Sequence, residues 1–523
     1  MRPAQIPESL SSYFANDRAL LPYSVLGLSI GVLSALVVLA FELFIILLAD
    51  LWLPEAEKFE ALEQWQRFVL PAASALLLAF VYSLLPYENR ESGIVHVLSR
   101  MESHYGLLPI RNALLQFFAG AVALAGGQSG GREGPGVHLG AAVGSGLSQW
   151  LHLPHNSRRI VIACGTAGGI AAAFNTPLAG VIFAMEVIVA EYTVVGFTPV
   201  IVAAISATTL SHALGGGLTP LDIPAVSLGS LWDLPLILFL GLIAGTLAAA
   251  FTRILKVTLK HSTGVHVSWR FLGAGLLTGC TAMFVPEVLG LGYDSLHAAL
   301  LGQLAPGLLA ALLIAKLITS AFSVGLGLPV GVIGPSLLIG SCVGSLVGWA
   351  ADSLMPGMAF QPGLYGVIGM GAVMAAMLNA PLAALLAVVE LTGSASASFP
   401  AMLAVITANL TMNAAWRSRS AHQTVLQHLQ RIIPEDPISQ MLHQSNVKSA
   451  MDRSISVLGQ YAGDDASPSQ NPPVWCIVTR GTEYLALMRG TDVSQFTRSL
   501  EPGMTTDLLE QDLRRWTFSQ LSP

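Results

Sequence analysis

The clearest candidate for chemistry is an acid in a glycine-flanked break between apolar segments, Gly131-Arg132-Glu133-Gly134-Pro135. An acid is costly in apolar surroundings and normally faces a cavity or a partner. Pro135 suits the first turn of a helix, whose N-terminal N–H groups and dipole would attract an anion. Glu133 can therefore occupy an anion site or vacate it, so its protonation would open the site. The alternatives are a pair with Arg132 or an ordinary acid at a helix start.

Two further breaks have the composition of an anion site. Gly331-Val332-Ile333-Gly334-Pro335 contains no ionisable residue, so its backbone N–H groups are its only polar donors. Such donors suit an anion and are poor ligands for a cation. Glu91-Ser92-Gly93-Ile94 adds one hydroxyl group, on Ser92. A plain helix break and a surface turn are the alternative explanations of these two segments.

The breaks belong to an internal repeat. The segment that begins at Gly131 matches the one that begins at Gly331, 200 positions later. The run from Asn175 to Glu186 matches the run from Asn379 to Glu390, 204 positions later. Paired broken segments in two related halves indicate a transport site where the halves meet. The repeat alone does not say whether the halves are inverted.

The segments around the breaks have the composition of membrane helices. Of the 523 residues, 53% are hydrophobic and 11% charged, against about 25% charged in ordinary soluble chains. Apolar segments follow one another over about 20–416, and 68–86 and 399–416 are free of charge and close to the ~20 residues that span a bilayer. Broken helices at membrane depth are tolerated where protein or a water-filled cavity satisfies the backbone. We expect an all-α, multi-pass membrane protein.

Composition also argues against several classes of function. The net charge of −6 and the pI near 6.0 argue against a nucleic-acid partner, and four scattered cysteines suggest neither a disulfide framework nor a metal site. No cofactor is implied. A remote alternative is an intramembrane serine hydrolase at Ser129, which needs a histidine base on a facing element. A cation transporter would need acids in both repeated breaks, whereas the second has only Val332 and Ile333.

The chain divides into three parts. A segment of residues 1–19 precedes a transport domain at 20–429, whose halves span roughly 20–215 and 230–429. A C-terminal domain at 430–523 follows, and 16 of the 56 charged residues lie between Gln440 and Pro523. Basic residues at both ends of the transport domain place both termini in the cytoplasm. In the tail we predict a hairpin of 474–478 with 484–488 and an amphipathic helix over 505–518.

The motifs resemble those of the CLC family of chloride channels and chloride/proton exchangers, over about 20–429. Gly131 to Pro135 resembles the family's signature loop, Ser92-Gly93-Ile94 its first anion-binding loop and Gly331 to Pro335 its third, while 174–180 is similar to a segment between two core helices. The resemblance implies a homodimer with one chloride pore per subunit, built of two inverted halves with broken helices. The change in composition after the last apolar segment predicts a small soluble α/β tail. It makes Glu133 the gating glutamate. The implied anion-binding residues are Ser92, Gly93, Ile94, Arg132, Gly134, Val332, Ile333 and His422.

Departures from the family pattern bear on the transport mode. Val187 stands at the position of the inner proton glutamate of exchangers, and channel members commonly have valine there. His422 replaces the central tyrosine by rough alignment, either as an ion-path residue or as an ordinary polar residue at a helix end. The valine favours passive chloride flow, with Glu133 as the gate. We expect the protein in a plasma or inner membrane. The alternative is a chloride/proton antiporter with a different inner proton route, which would add protons as a partner. The tail resembles at most a reduced CBS-like module.

Overall fold

The computed structural model describes two compact units, 1–433 and 434–523. The described residues of the first unit are 20–53, 58–191, 194–215, 233–355, 361–393 and 395–431. Those of the second unit are 455–462, 474–480, 483–499, 506–511 and 515–517. The CBS-like hint at 447–451 lies outside these ranges.

Helices build the described part of the first unit. Those of the first half are α1 (Leu20–Ala49), α2 (Gln64–Ser83), α3 (Gly93–Ser103), α4 (Ile110–Ala125), α5 (Glu133–Trp150), α6 (His155–Phe174), α7 (Pro177–Phe183) and α8 (Val194–Ala213). Those of the second half are α9 (Asp233–Ser262), α10 (Val267–Ala282), α11 (Tyr293–Leu300), α12 (Pro306–Gly325), α13 (Ile333–Leu354), α14 (Pro362–Leu378), α15 (Pro381–Thr392), α16 (Ser398–Leu410) and α17 (Ala421–His428). One π-helical segment, Ala184–Val189, continues α7, and another, Thr411–Ala415, continues α16.

Asparagine and proline set helix boundaries at equivalent places in the two halves. Asn175 ends α6 and Asn379 ends α14, both in the left-handed conformation, with φ 59° and 56°. Asparagine tolerates this conformation better than most residues. Each is followed by a proline at the first position of the next helix, Pro177 of α7 and Pro381 of α15. The repeat seen in the sequence is therefore also a repeat of helix ends.

Glycines permit close packing of α5 on α6 and of α13 on α14. A Cβ atom on Gly140 would lie 2.1 Å from the carbonyl oxygen of Gly165, and one on Gly340 would lie 2.3 Å from that of Gly369. Both distances are too short for any side chain. Small residues at these positions therefore allow the helix backbones to approach each other closely.

Two acids connect the halves reciprocally. Glu186, in the continuation of α7, accepts hydrogen bonds from the amides of Leu382 (3.3 Å) and Ala383 (2.9 Å) in the first turn of α15. Glu390, in α15, accepts hydrogen bonds from Leu178 (2.9 Å) and Ala179 (2.8 Å) in the first turn of α7. Because the residues of one pair are the repeat counterparts of the other, the two halves are related by a pseudo-twofold axis.

Within the described residues, six helices are long and apolar enough to cross a membrane: Leu20–Ala49, Gln64–Ser83, Gly196–Ala213, Asp233–Ser262, Pro306–Gly325 and Ile333–Leu354. Many of their large apolar side chains are exposed, among them Leu21, Leu77, Phe80 and Phe239. An exposed apolar surface of this kind suits lipid rather than water.

The described part of the tail is a small sheet with one helix. Its strands are β1 (Ile455–Gly459), β2 (Tyr461–Ala462), β3 (Trp475–Arg480), β4 (Glu483–Arg489), β5 (Thr506–Asp507) and β6 (Arg515–Thr517), and its helix is α18 (Gly490–Ser499). The larger sheet has the order β1-β3-β4-β6, with β1 parallel to β3 and the other pairs antiparallel. The predicted hairpin is confirmed as β3 and β4. The predicted helix over 505–518 is wrong, because β5 pairs with β2 and β6 with β4.

Candidate functional site

The two repeated breaks contact each other directly. Gly131 and Gly331 form an antiparallel bridge, in which Gly131 N donates to Gly331 O (2.9 Å) and Gly331 N donates to Gly131 O (2.7 Å). A Cβ atom on Gly331 would lie 2.6 Å from Gly134 N. Only glycine allows this approach of the two backbones, and it brings the N-termini of α5 and α13 together.

The converging helix starts leave a group of backbone donors. The first helical bond of α5 runs from Gly136 N to Arg132 O (2.9 Å), and that of α13 from Ser336 N to Val332 O (3.0 Å). The residue before each of these donors is a proline, which has no N–H. The two residues before each proline, Glu133 and Gly134 in α5 and Ile333 and Gly334 in α13, therefore carry amides without an intrahelical acceptor. Two helix dipoles add positive potential at the same place.

The carboxylate of Glu133 occupies this electropositive position. Glu133 is 1% exposed. A Cβ atom on Gly131 would lie 1.9 Å from Glu133 Oε2, and one on Gly334 would lie 3.0 Å from Oε1. Oε1 accepts a hydrogen bond from the hydroxyl of Tyr293, the first residue of α11, whereas Oε2 has no hydrogen-bond partner within the described residues. A negative group thus lies where an anion would be attracted.

Arg132, predicted to bind the anion, is directed at other groups. Its Nη2 donates to the carbonyl of Ala173 at 3.0 Å, and its Nη1 lies 3.3 Å from Glu42 Oε1 of α1. Its Cζ lies 5.3 Å from the ring centroid of Tyr293. The guanidinium therefore braces the start of α5 against α1 and α6. The role of Arg132 as a direct anion ligand stays a prediction.

A cavity of about 480 Å³ lies next to the two breaks. Six of the residues predicted for the anion site line it: Ser92, Gly93, Ile94, Gly134, Val332 and His422. Tyr82 of α2 and Arg270 of α10 line it as well. Segments far apart in the sequence thus meet around one space, as a transport pathway requires. Ile333 instead lines a small apolar pocket with Phe174 and Phe183, and its backbone amide belongs to the first turn of α13.

In the loop before α3, the hydroxyl of Ser92 rather than the amide of Gly93 is the donor that could bind an anion. Ser92 precedes α3 and its side chain makes no capping hydrogen bond. Gly93 has φ 73°, a left-handed conformation that favours glycine. Its N–H donates to Gln116 Oε1 at 2.7 Å, and Gln116 Nε2 donates to Pro329 O at 3.0 Å. Gly93 therefore shapes the loop, and its N–H is bonded to Gln116. Its role in anion binding stays a prediction.

The structure places His422 at the cavity and Val187 away from its lining. His422, the second residue of α17, is 6% exposed. Val187 lies in the π-helical continuation of α7 and packs, partly buried, against the apolar core. Its neighbour Glu186 accepts hydrogen bonds from the first turn of α15, so this acid has a structural role as a helix cap.

Sequence analysis did not identify three residues at or near the site: Tyr293, Tyr82 and Gln116. Tyr82 is buried and its ring packs at 4.9 Å, edge to face, on Phe271 beside the cavity. Tyr293 could have been found, because it follows Gly93 by the same 200 positions as Gly331 follows Gly131. Gln116 carried no such signal, since an isolated glutamine in an apolar helix shows neither its partner nor its direction.

Comparison with known proteins agrees with this arrangement. The family model described as "Voltage gated chloride channel" matches residues 73–413. The chain is 30% identical over 444 residues to an H(+)/Cl(-) exchange transporter ClcA of Vibrio parahaemolyticus, covering 81% of this chain and 94% of that protein. It is 33% identical over 408 residues to a putative chloride channel protein ClcB-like of Ralstonia nicotianae, covering 74% and 92%.

Solved structures of similar fold include a slow cyanobacterial Cl-/H+ antiporter, with a TM-score of 0.68, 20% identity and coverage of 78% of this chain and 97% of that one. A eukaryotic CLC transporter has a TM-score of 0.66, 22% identity and coverage of 93% and 90%. These likenesses confirm the predicted fold class. With the family match and the apolar helices, they show that the chain is an integral, multi-pass membrane protein of the CLC family.

Proposed function

We propose that this protein moves chloride across a membrane through a pathway gated by Glu133. The observation that carries the proposal is the position of the Glu133 carboxylate between the N-termini of α5 and α13, where backbone amides and helix dipoles favour an anion. Chloride can occupy this position only when the carboxylate leaves. Protonation removes the charge that holds the side chain there, so flux should rise as the pH falls.

We propose passive flow as the transport mode. Val187 offers no titratable group at the position of the inner proton glutamate, and Glu186 beside it is bonded to two backbone amides. Chloride/proton exchange is the second candidate, favoured by the exchangers among the relatives. It would need a proton route that does not pass through Val187.

We also propose a homodimer, as the resemblance implies, in a plasma or inner membrane. Both termini would lie in the cytoplasm, as the flanking basic residues indicate. Exposed apolar residues on repeat-related helices support a contact between subunits: Leu178 of α7 and Leu382 of α15 are 53% and 51% exposed. The proposed assignment includes neither an enzymatic activity nor a resident cofactor. The hydroxyl of Ser129 bonds to those of Ser320 (2.9 Å) and Thr319 (3.0 Å), which are not bases.

The first experiment is chloride efflux from liposomes containing the purified protein, measured from acid to neutral pH. We expect the efflux of the wild type to rise as the pH falls, and Glu133→Gln to conduct at every pH, because the amide imitates the protonated acid. Glu102→Gln, at an exposed acid near the end of α3, is the matched control and should keep the wild-type profile. An unchanged profile in Glu133→Gln would contradict the gate.

The same liposomes test the transport mode. A chloride gradient is imposed and the external pH is recorded. Passive flow predicts no uphill proton movement while chloride efflux is present. Proton pumping driven by the chloride gradient would overturn the passive mode in favour of exchange. Absence of anion flux from correctly folded, reconstituted protein would contradict the transport function itself.

A further inference from the structure

We propose that Tyr293 is a positioning residue for the gate and that its hydroxyl holds the ionised Glu133 carboxylate in the closed position. The inference rests on the proposed gating role of Glu133. It starts from one contact, in which Tyr293 Oη donates to Glu133 Oε1. A hydroxyl donor bonds more strongly to a charged carboxylate than to a neutral acid, so this contact favours the ionised, closed gate.

The ring of Tyr293 is fixed from two sides. Tyr293 is 7% exposed. Its ring meets that of Phe174, the last residue of α6, edge to face, with centroids 6.3 Å apart and planes at 85°. The guanidinium of Arg132 lies over the Tyr293 ring, with its Cζ 5.3 Å from the ring centroid. A clamped ring presents its hydroxyl in one direction, which lowers the entropic cost of holding the gate.

The loop before Tyr293 is fixed independently of the gate. Lys316 of α12 is fully buried and donates to the carbonyls of Val288 (3.0 Å) and Gly290 (2.9 Å). Gly292 has φ 78°, and a Cβ atom on it would lie 2.8 Å from Leu338 Cδ2. The start of α11 therefore cannot shift freely, and Tyr293 remains in place when Glu133 moves.

The repeat supports a specific role for this position. Tyr293 begins α11 as Gly93 begins α3, and the two are 200 positions apart. At Gly93 a Cβ atom would meet nothing within 4 Å, because this start lines the cavity. At the equivalent start in the second half a tyrosine reaches the gate. The first half thus leaves space for the ion at Gly93. The second half supplies the Tyr293 hydroxyl, which holds the Glu133 carboxylate that competes with the ion.

Other charged groups near Glu133 bear on its protonation. Arg132 directly precedes Glu133 in the chain and lies close to Glu42 of α1. Lys316 of α12 donates a hydrogen bond to the carbonyl of Gly290, in the loop that leads to Tyr293. Acids Glu60, Glu287 and Asp294 line a small pocket that Tyr293 also lines. The described first turn of α13 contributes Ile333 and Gly334, which do not titrate. None of these groups changes in a Tyr293→Phe variant, so its effect isolates the hydroxyl.

The test is the pH profile of chloride efflux from liposomes containing Tyr293→Phe. Without the donor, the closed gate loses a hydrogen bond that favours it, so the pH of half-maximal flux should rise by about one to two units, the shift expected for a hydrogen bond to a charged group. Tyr365→Phe is the matched control. Tyr365 is also buried and donates to a carboxylate, Asp233 Oδ1 at 2.6 Å, and its loss should leave the midpoint unchanged. A midpoint does not depend on the fraction of active protein.

Glu133→Gln and the double variant Glu133→Gln with Tyr293→Phe distinguish the two hypotheses. If Glu133→Gln removes the pH dependence while Tyr293→Phe keeps the wild-type midpoint, the role of Tyr293 is overturned and the gate stands. If Glu133→Gln keeps the pH dependence, the gate itself fails. In the Gln background, Tyr293→Phe should cause no further change. A Tyr293→Phe protein without flux at acid pH, where the wild type is open, would also contradict the proposal.

Discussion

At the scale of single residues, the site depends on positions where no side chain fits. A Cβ atom on Gly331 would lie 2.6 Å from Gly134 N, and one on Gly131 would lie 1.9 Å from the Glu133 carboxylate. A Cβ atom on Gly131 would also lie 2.9 Å from Gly334 N, and backbone atoms cannot move aside cheaply. The glycines are therefore needed for the approach of the two breaks and not only for flexibility.

Alanine at position 331 should destabilise the protein, because the added methyl group forces the two breaks apart. Overpacking of this kind costs about 1–3 kcal/mol. Gly146, on the exposed side of α5, is the control, since a Cβ atom there meets nothing within 4 Å. Gly146→Ala should be neutral or stabilising by up to about 1 kcal/mol, because alanine is the better helix former. Thermal unfolding in detergent measures both variants, and equal melting temperatures would contradict the packing argument.

Residues that the sequence motifs singled out lie near one another in the structure. Ser92, Val332 and His422 meet at one cavity although they are far apart in the chain. Gly93 and Arg132 lie in the correct loops, but their donors are used by Gln116 and by Ala173 and Glu42. A motif places a residue, whereas the partner of each donor depends on side-chain directions that only the packed structure fixes.

At the scale of helices, the reciprocal caps explain a regularity of the sequence. The step from Asn175 to Glu186 equals the step from Asn379 to Glu390. In each half the asparagine ends one helix, and the acid caps the start of a helix in the other half. The repeat predicted that the two acids are equivalent. It could not predict that each binds the other's helix, because equivalence of sequence does not imply contact.

Replacing either acid by glutamine should lower the thermal stability. The amide keeps the shape but has one acceptor oxygen in place of two and lacks the charge that favours a helix N-terminus. A lost cap costs about 0.5–2 kcal/mol, so we expect similar losses for Glu186→Gln and Glu390→Gln. The exposed Glu102→Gln serves as the control in the same melting experiment. A stabilising effect of either cap variant, or a loss in only one of them, would refute the symmetric assignment.

At the scale of the whole molecule, the two units have different kinds of core. The larger unit buries alanine and glycine at helix contacts, whereas the described part of the tail buries Cys476, Val478, Ala486 and Met488 within a sheet. The helical unit was predictable because long apolar segments have few alternatives in a bilayer. The tail was predicted only in part, since the short strands β5 and β6 depend on partners distant in sequence.

The tail cysteine should be protected from alkylation in the folded protein. Cys476 is 2% exposed, and burial raises the pKa of its thiol because it disfavours the thiolate. The thiolate is the reactive form, so reaction with a maleimide at neutral pH should be slow and should accelerate as the pH rises. Cys280 is exposed, and a Cys280→Ser variant removes its signal. Rapid labelling of Cys476 that needs no denaturant would contradict the described core.

The antiparallel bridge between Gly131 and Gly331 has an evolutionary consequence. An antiparallel pair of equivalent residues is its own twofold partner, so two identical half-length chains inserted in opposite directions could form the same pair of hydrogen bonds. The bridge depends on the twofold relation between the halves and not on the covalent connection between them. In a single chain each half can diverge separately, so one copy of the break can carry an acid while the other carries only valine and isoleucine.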